Sequence, residues 1–143
     1  MITITRRVEF SAAHRLHNPE LSDEENRRLY GVCNNPMGHG HNYAVEVSVR
    51  GDVPAKTGMV MDLKDLKDVL HRVVHATCDH KHLNHDVPML EGVIPTAENL
   101  AIRFWDGVAR ELKAFPGVEL HQVRVIESRD NFVDYFGPSS SRR

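Results

Sequence analysis

No stretch of this sequence approaches the roughly 18 consecutive apolar residues that a bilayer-spanning helix requires, so no membrane-spanning helix is expected. Charge of one sign is also missing: 18 basic and 20 acidic residues leave a formal charge of -2. That balance offers no bulk attraction to nucleic acid or to acidic membranes. The opening residues, MITITRRVEF, lack an apolar signal core, so no export is expected. Cysteine is scarce. Cys33 and Cys78 could form at most one disulfide, and 143 residues can build a core without one. Two free thiols and a cytoplasmic setting follow. The abundant residue is histidine: ten of 143 positions, most of them clustered, which points to metal or proton chemistry.

The chain contains no repeat and no linker, and reads as one domain over residues 1–137 with a disordered tail at 138–143. Ile2, Ile4, Val8, Phe10, Ala12 and His14 share one parity, the signature of a half-buried strand. Residues 17–38 are loop-like, with room for a helical turn in SDEENRRLY. Tyr43, Val45, Val47 and Val49 alternate with polar or small residues in a second strand. A turn and a short strand, MVMD, are expected next. Asp62 is a candidate N-cap for a helix whose stripe is Leu63, Leu66, Leu70, Val73, Val74 and Thr77. Thr96 can cap a second helix with the stripe Leu100, Ala101, Phe104, Trp105, Val108 and Leu112. Val123, Val125 and Glu127 alternate in a third strand, and FVDYF follows a turn as the last. The order ββααββ gives an α+β fold, an antiparallel sheet covered on one face by two helices.

Within CNNPMGHGHNY, Cys33 precedes His39 and His41 by six and eight positions. Three explanations compete for this cluster. It is a zinc site with a cysteine ligand, a histidine-bound metal beside a reactive thiol, or a set of ordinary loop residues. His39 and His41 share the parity of Tyr43 and Val45, which sets their side chains on one face about 7 Å apart along the strand. His14 extends the inward face of the first strand. If the two strands pair antiparallel, three imidazoles meet, and three neutral histidines with an open fourth position are the pattern of a catalytic zinc. His-Gly-His alone is a weak motif, and the thiol stays ambiguous between fourth ligand and neighbouring base. Glu127, on the parity of Val123 and Val125, reads as inward and functional rather than as a surface carboxylate.

Other features read more plainly. His80, His82 and His85 are irregularly spaced in a polar loop, which favours solvation over a second metal. His71 and His75 stand at i, i+4 but lack the Glu of a metalloprotease helix, so they read as surface. Cys78 reads as a small buried residue. Asp62 and Glu98, near helix starts, fit capping and dipole roles.

FSAAHRL, CNNPMGHGHNY, TGMVMDLKDLK, CDHKHLNHDVP, PTAENLA and VIES together resemble the 6-pyruvoyl-tetrahydropterin synthase family, in order and spacing, from about Val8 to Gly137. The resemblance implies the tunnelling fold, in which ββααββ subunits form a trimeric barrel and two trimers stack into a homohexamer with interfacial active sites. It implies Zn2+ held by His14, His39 and His41, and Cys33 as proton acceptor rather than ligand. It implies that Asp79 and His80 tune that thiol, that Glu127 anchors the pterin ring and joins the proton relay, and that backbone around Thr96 and Ala97 contacts the pterin. The implied reaction is that of a carbon-oxygen lyase. It converts 7,8-dihydroneopterin triphosphate to 6-pyruvoyl-tetrahydropterin with loss of triphosphate, as in tetrahydrobiopterin synthesis.

Two alternatives accompany that reading. A bacterial branch of the family makes 6-carboxy-tetrahydropterin for queuosine synthesis and resembles a C-x3-HGH spacing, whereas this chain has C-x5-HGH. A third branch replaces the Cys with Glu, against which Cys33 argues. A pterin- or purine-binding module without turnover would keep the zinc site, but it has no need of a tuned base.

Overall fold

Ile2–His14 forms β1, and it pairs antiparallel with β2, His39–Gly51, over its whole length. The register sets Phe10 opposite Tyr43, Ala12 opposite His41 and His14 opposite His39. Residues two apart share a face, so the apolar parity read from the sequence, broken in β1 by Arg6, continues through Phe10 and Ala12 into the histidines. Phe10 and Tyr43 stack across the pair with ring centroids 4.8 Å apart. The computed structural model describes residues 1–139; the remainder of the expected disordered tail, 140–143, lies outside them.

The sheet has five strands in the order β3-β1-β2-β4-β5. β4 (Glu119–Ser128) and β5 (Asn131–Tyr135) extend it antiparallel on one side. On the other side β3, Lys81–His82, pairs parallel to β1 at Ala12 and Ala13. The sheet is therefore not purely antiparallel. Two residues carry no detectable hydrophobic period, so β3 has no signature in sequence. MVMD forms no strand, and its Met61 is instead a buried core residue.

Two helical segments cover the apolar face. Asp62 caps α2, Leu63–Leu70, by accepting the Lys64 N–H at 2.9 Å. The helix continues through a π turn, His71–His75, into α3, Ala76–Cys78. The π turn adds a residue to one turn and rotates everything after it. The buried positions are Leu66, Val69 and Leu70 before that turn, Val74 within it and Cys78 after it. The expected stripe included Leu63, which is exposed, and left out Val69 and Cys78. Thr96 caps α4, Ala97–Leu112, whose Leu100, Ala101, Phe104, Val108 and Leu112 are buried as the periodicity predicts. Phe104 meets Phe10 edge-on at 6.0 Å, and each such fully buried side chain stabilises the fold by about 1.5–3 kcal/mol. SDEENRRLY holds a full helix, α1 (Asp23–Tyr30), started by a capping box between Ser22 and Glu25.

The opposite face of the sheet is polar. Arg7 pairs with Glu46, and Arg124 with Asp134, at 3.2 and 2.6 Å. Among the described residues no helix is long and apolar enough to cross a membrane.

Candidate metal centre and active site

The three imidazoles meet because a directly opposed strand pair and the period of two leave them no alternative. One ring nitrogen from each of His14, His39 and His41 lies within 4.8 Å of the other two, and among the described residues this is the one group of that kind. His14 is buried at the end of β1, and its Nδ1 stands 2.8 Å from the carbonyl oxygen of Pro95. A carbonyl can only accept, so Nδ1 carries the proton and Nε2 presents a lone pair. That Nε2 is 3.1 Å from Nε2 of His39. The hydroxyl of Tyr43 lies 3.2 Å from His14 Nδ1, and burial holds this phenol protonated well above its ordinary range.

Burial pushes His14 down to about 4, with the neighbouring His39 and His41 adding to the effect. His41 is lowered by burial too, although the charge of Glu127 opposes the shift. Both are therefore neutral at neutral pH, the form in which imidazole binds a metal. His41 Nε2 is buried and has no hydrogen-bond partner. An unsatisfied buried polar atom costs about 1–3 kcal/mol, and a cation among the three rings would satisfy it. Zinc bound at its usual distance sets ligand nitrogens about 3.3–3.4 Å apart in a tetrahedral site, close to the spacing of His14 and His39. The residues present fit a zinc ion with an open fourth position, and the Pro95 carbonyl is the outer partner that orients such a ligand.

Gly38 is what lets the strand that carries His39 and His41 come this close to β1. Its φ is +78°, and a Cβ there would stand 2.9 Å from the His14 carbonyl oxygen and 3.1 Å from His82 Nε2. Any other residue would be strained and would push the two histidine strands apart.

Cys33 belongs to a separate element, the 3-10 turn Gly31–Asn34, and is half-buried. It is not part of the histidine group that could hold a metal. Cys78 is fully buried, which pushes its thiol up to about 11. Burial keeps that sulfur out of reach of chemistry at the surface.

Asp79 and His80 form a pair at the β1 edge, with His80 Nδ1 2.8 Å from Asp79 Oδ2. The Ser11 N–H donates to Asp79 Oδ1 at 2.9 Å, and this bond, followed by His80, holds the carboxyl below the usual carboxylate range. His80 has φ +60°, the one left-handed residue besides glycine among those described. The His80 N–H donates to the Ser11 carbonyl at 2.7 Å, so both members of the pair are pinned to one β1 residue. The His80 side chain is 83% exposed. It shares an open cleft of about 600 Å³ with His41, Ser11, Asn42, Lys81 and Asp86. Cys33 does not line that cleft, and no hydrogen bond or ion pair within this chain links its thiol to Asp79 or His80 among the described residues.

His75, which reads as surface in the sequence, has partners: its Nδ1 donates to the Glu9 carbonyl at 2.9 Å and its Nε2 lies 3.5 Å from Asp79 Oδ2. The i, i+4 spacing to Asp79 was the available sequence signal.

Glu127 stands at a bulge. Ile126 pairs with Phe132 and Ser128 with Asn131, so Glu127 is the extra residue on β4. Bulges re-aim side chains, and the charge of Glu127 acts on both His41 and Tyr43. Thr96 caps α4 through the Asn99 N–H at 3.2 Å, and it follows Pro95, the partner of His14. The start of α4, with Ala97, is thereby tied to the histidine cluster.

The model of the family described as 6-pyruvoyl tetrahydropterin synthase matches residues 3–138. The chain is 52% identical over 134 residues to the 6-pyruvoyl tetrahydrobiopterin synthase of Poecilia reticulata, covering 94% of this chain and 89% of that one. To the Homo sapiens protein of the same name it is 47% identical, covering 94% and 90%. The solved structure of Caenorhabditis elegans 6-pyruvoyl tetrahydropterin synthase superposes with a TM-score of 0.89, at 40% identity and 96% coverage of both chains.

Proposed function

The chain belongs to the 6-pyruvoyl tetrahydropterin synthase family, and we propose that it is a zinc-dependent lyase of tetrahydrobiopterin-type pterin synthesis. Its substrate is 7,8-dihydroneopterin triphosphate and its products are 6-pyruvoyl-tetrahydropterin and triphosphate. The observation that carries this reading is the histidine trio with its unpartnered His41 Nε2, in a chain whose half-buried free thiol, Cys33, is not one of that group. Bound zinc supplies Lewis acidity toward the two side-chain hydroxyls and so acidifies the adjacent carbon-bound protons.

The chain's own groups do the rest. Glu127 receives the adjacent N–H donors of the pterin ring in a paired, charge-assisted contact, and backbone at Thr96 and Ala97 borders the same ring. Cys33 takes the side-chain proton. An unperturbed thiol has a pKa of about 8.5, so it needs a neighbouring imidazole to become a thiolate. Asp79 fixes the tautomer of His80 by accepting from Nδ1, leaving Nε2 to exchange that proton.

In this reading the thiol of one subunit meets the Asp79–His80 pair of another, within a homohexamer of two stacked trimeric barrels. The exposed His80 ring, which pairs with Asp79 and has no bond to Cys33 among the described residues, supports such an interface. So do the sheet edges. β5 ends the sheet on one side, and β3 covers β1 at Ala12 and Ala13, leaving open strand edges that pairing with a neighbour would satisfy. Residues 1–137 act as one synthase domain in the cytoplasm.

The test is to incubate zinc-loaded protein with 7,8-dihydroneopterin triphosphate, anaerobically and without reductase, and to identify the pterin by mass spectrometry. A pyruvoyl side chain with released triphosphate is expected. A carboxy product with acetaldehyde would move the chain to the queuosine branch, and unchanged substrate would leave a binding module.

A further inference from the structure

We infer that Asn34 and Asn84 are positioning residues, two amide side chains that splint Arg15–His17 so that the metal-binding strand and the thiol-bearing turn share one frame. The inference rests on the zinc and thiol roles proposed above and assigns the groups that hold them in relation to each other.

β1 ends at His14, and the three residues after it have no partner strand. Their backbone groups must still find partners. Asn84 Oδ1 accepts the Arg15 N–H at 2.8 Å, and Asn84 Nδ2 donates to the Arg15 carbonyl at 2.8 Å. One side chain thus gives Arg15 the paired exchange that a neighbouring strand residue would give. Asn84 is itself anchored, because the adjacent Leu83 N–H donates to the Ala13 carbonyl at 2.8 Å.

On the other side, the Leu16 N–H donates to the carbonyl of Cys33 at 2.9 Å. Asn34 Nδ2 donates to the Leu16 carbonyl at 2.8 Å and lies 3.0 Å from His17 Nδ1. Arg15 Nε donates to the Asn34 carbonyl at 2.9 Å. Asn34 is one of four buried polar residues among those described. A buried amide is retained at a cost unless its donors are used, and here both amide hydrogens have partners on the strap.

The strap begins one residue after His14 and bonds the main chain of Cys33 directly, so any slack in it separates the two functional groups. Asn35 completes the frame at the third corner. Its carbonyl accepts the Gly38 N–H at 2.8 Å and its Nδ2 donates to the Gly38 carbonyl at 3.2 Å, immediately before His39. The five residues between Cys33 and His39 are therefore a stapled turn rather than slack chain.

The experiment uses the full chain with Asn84→Ala, Asn84→Asp and Asn34→Ala. Zinc affinity is read by chelator competition, and the Cys33 environment by its rate of alkylation with iodoacetamide. The buried Cys78 reports unfolding by becoming modified. Asn84→Ala should bind zinc several-fold more weakly, because the chain leaving His14 loses the amide pair that fixes it. Asn84→Asp keeps the acceptor for Arg15 N–H and should fall between it and the parent. Asn34→Ala should change the alkylation rate of Cys33 several-fold with Cys78 still protected. Zinc affinity and alkylation rate within twofold of the parent in folded Asn84→Ala and Asn34→Ala would overturn the inference. Should Asn34→Ala unfold, the two Asn84 variants decide it by both readouts. A parent chain that binds no zinc overturns the proposed function instead, and the alkylation rates still decide the splint.

Discussion

Nε2 of His14 and Nε2 of His39 lie 3.1 Å apart across a directly opposed strand pair. With the His14 proton committed to Pro95 at Nδ1, a lone pair of His14 faces the His39 ring, an arrangement that a cation stabilises. Removing either ring by His14→Ala or His39→Ala is expected to weaken zinc binding by more than about 100-fold, beyond the effect of losing an outer partner. Chelation of the parent should lower its Tm, because a ligand at 100 times its Kd adds about 2.7 kcal/mol to native stability. Equal Tm with and without zinc would count against the site.

Cys33→Ala separates two chemistries. Standing outside the histidine group, Cys33 is expected to be dispensable for metal, so the variant should keep its zinc. If Cys33 is the proton acceptor proposed above, its loss should lower kcat by about 10²–10⁴-fold. Metal analysis beside turnover checks both halves, and loss of zinc would make the sulfur a ligand.

Asp79 gives a pH signature. Its carboxyl is held below the usual range by the Ser11 N–H and then by His80. A depressed carboxylate contributes stability that is fully present above its unfolded value of about 3.9. That contribution is lost as pH falls through the lower native value. Parent and Asp79→Asn should therefore differ in urea midpoint at pH 7 and converge as the pH is taken below about 4. A difference that stayed constant down to pH 2 would show that the ionised form is not what the Ser11 contact favours.

His80 holds a left-handed backbone conformation, which costs a residue other than glycine about 1–2 kcal/mol. His80→Gly should therefore be about 1 kcal/mol more stable than His80→Ala, with both losing turnover. Thermal unfolding of the pair measures the difference. Equal stability would mean that the turn relaxes once the ring is gone.

Much of the fold was legible because its elements repeat. Thirteen-residue strands and a 16-residue helix carry enough periods for parity and stripe to be read, and Asp62 and Thr96 mark helix starts by the chemistry of their side chains. The misreadings fall where the repeat is short or broken. β3 is two residues long. The π turn at His71–His75 sets Cys78 rather than Thr77 on the buried face after it.

The sequence by itself determined that His14, His39 and His41 share one side of two strands, since a period of two leaves a side chain no other direction. It also carried the family resemblance that the comparisons bear out. Tertiary structure alone decided what each histidine meets. The Pro95 carbonyl that orients His14 lies 81 residues away, and Ser11, which pins Asp79 and His80, lies 68 residues from Asp79. So does the partnership of Asn84 with Arg15, 69 residues apart. Local propensity acts over a turn or a strand, whereas these contacts follow from register and chain reversal, which no local pattern encodes.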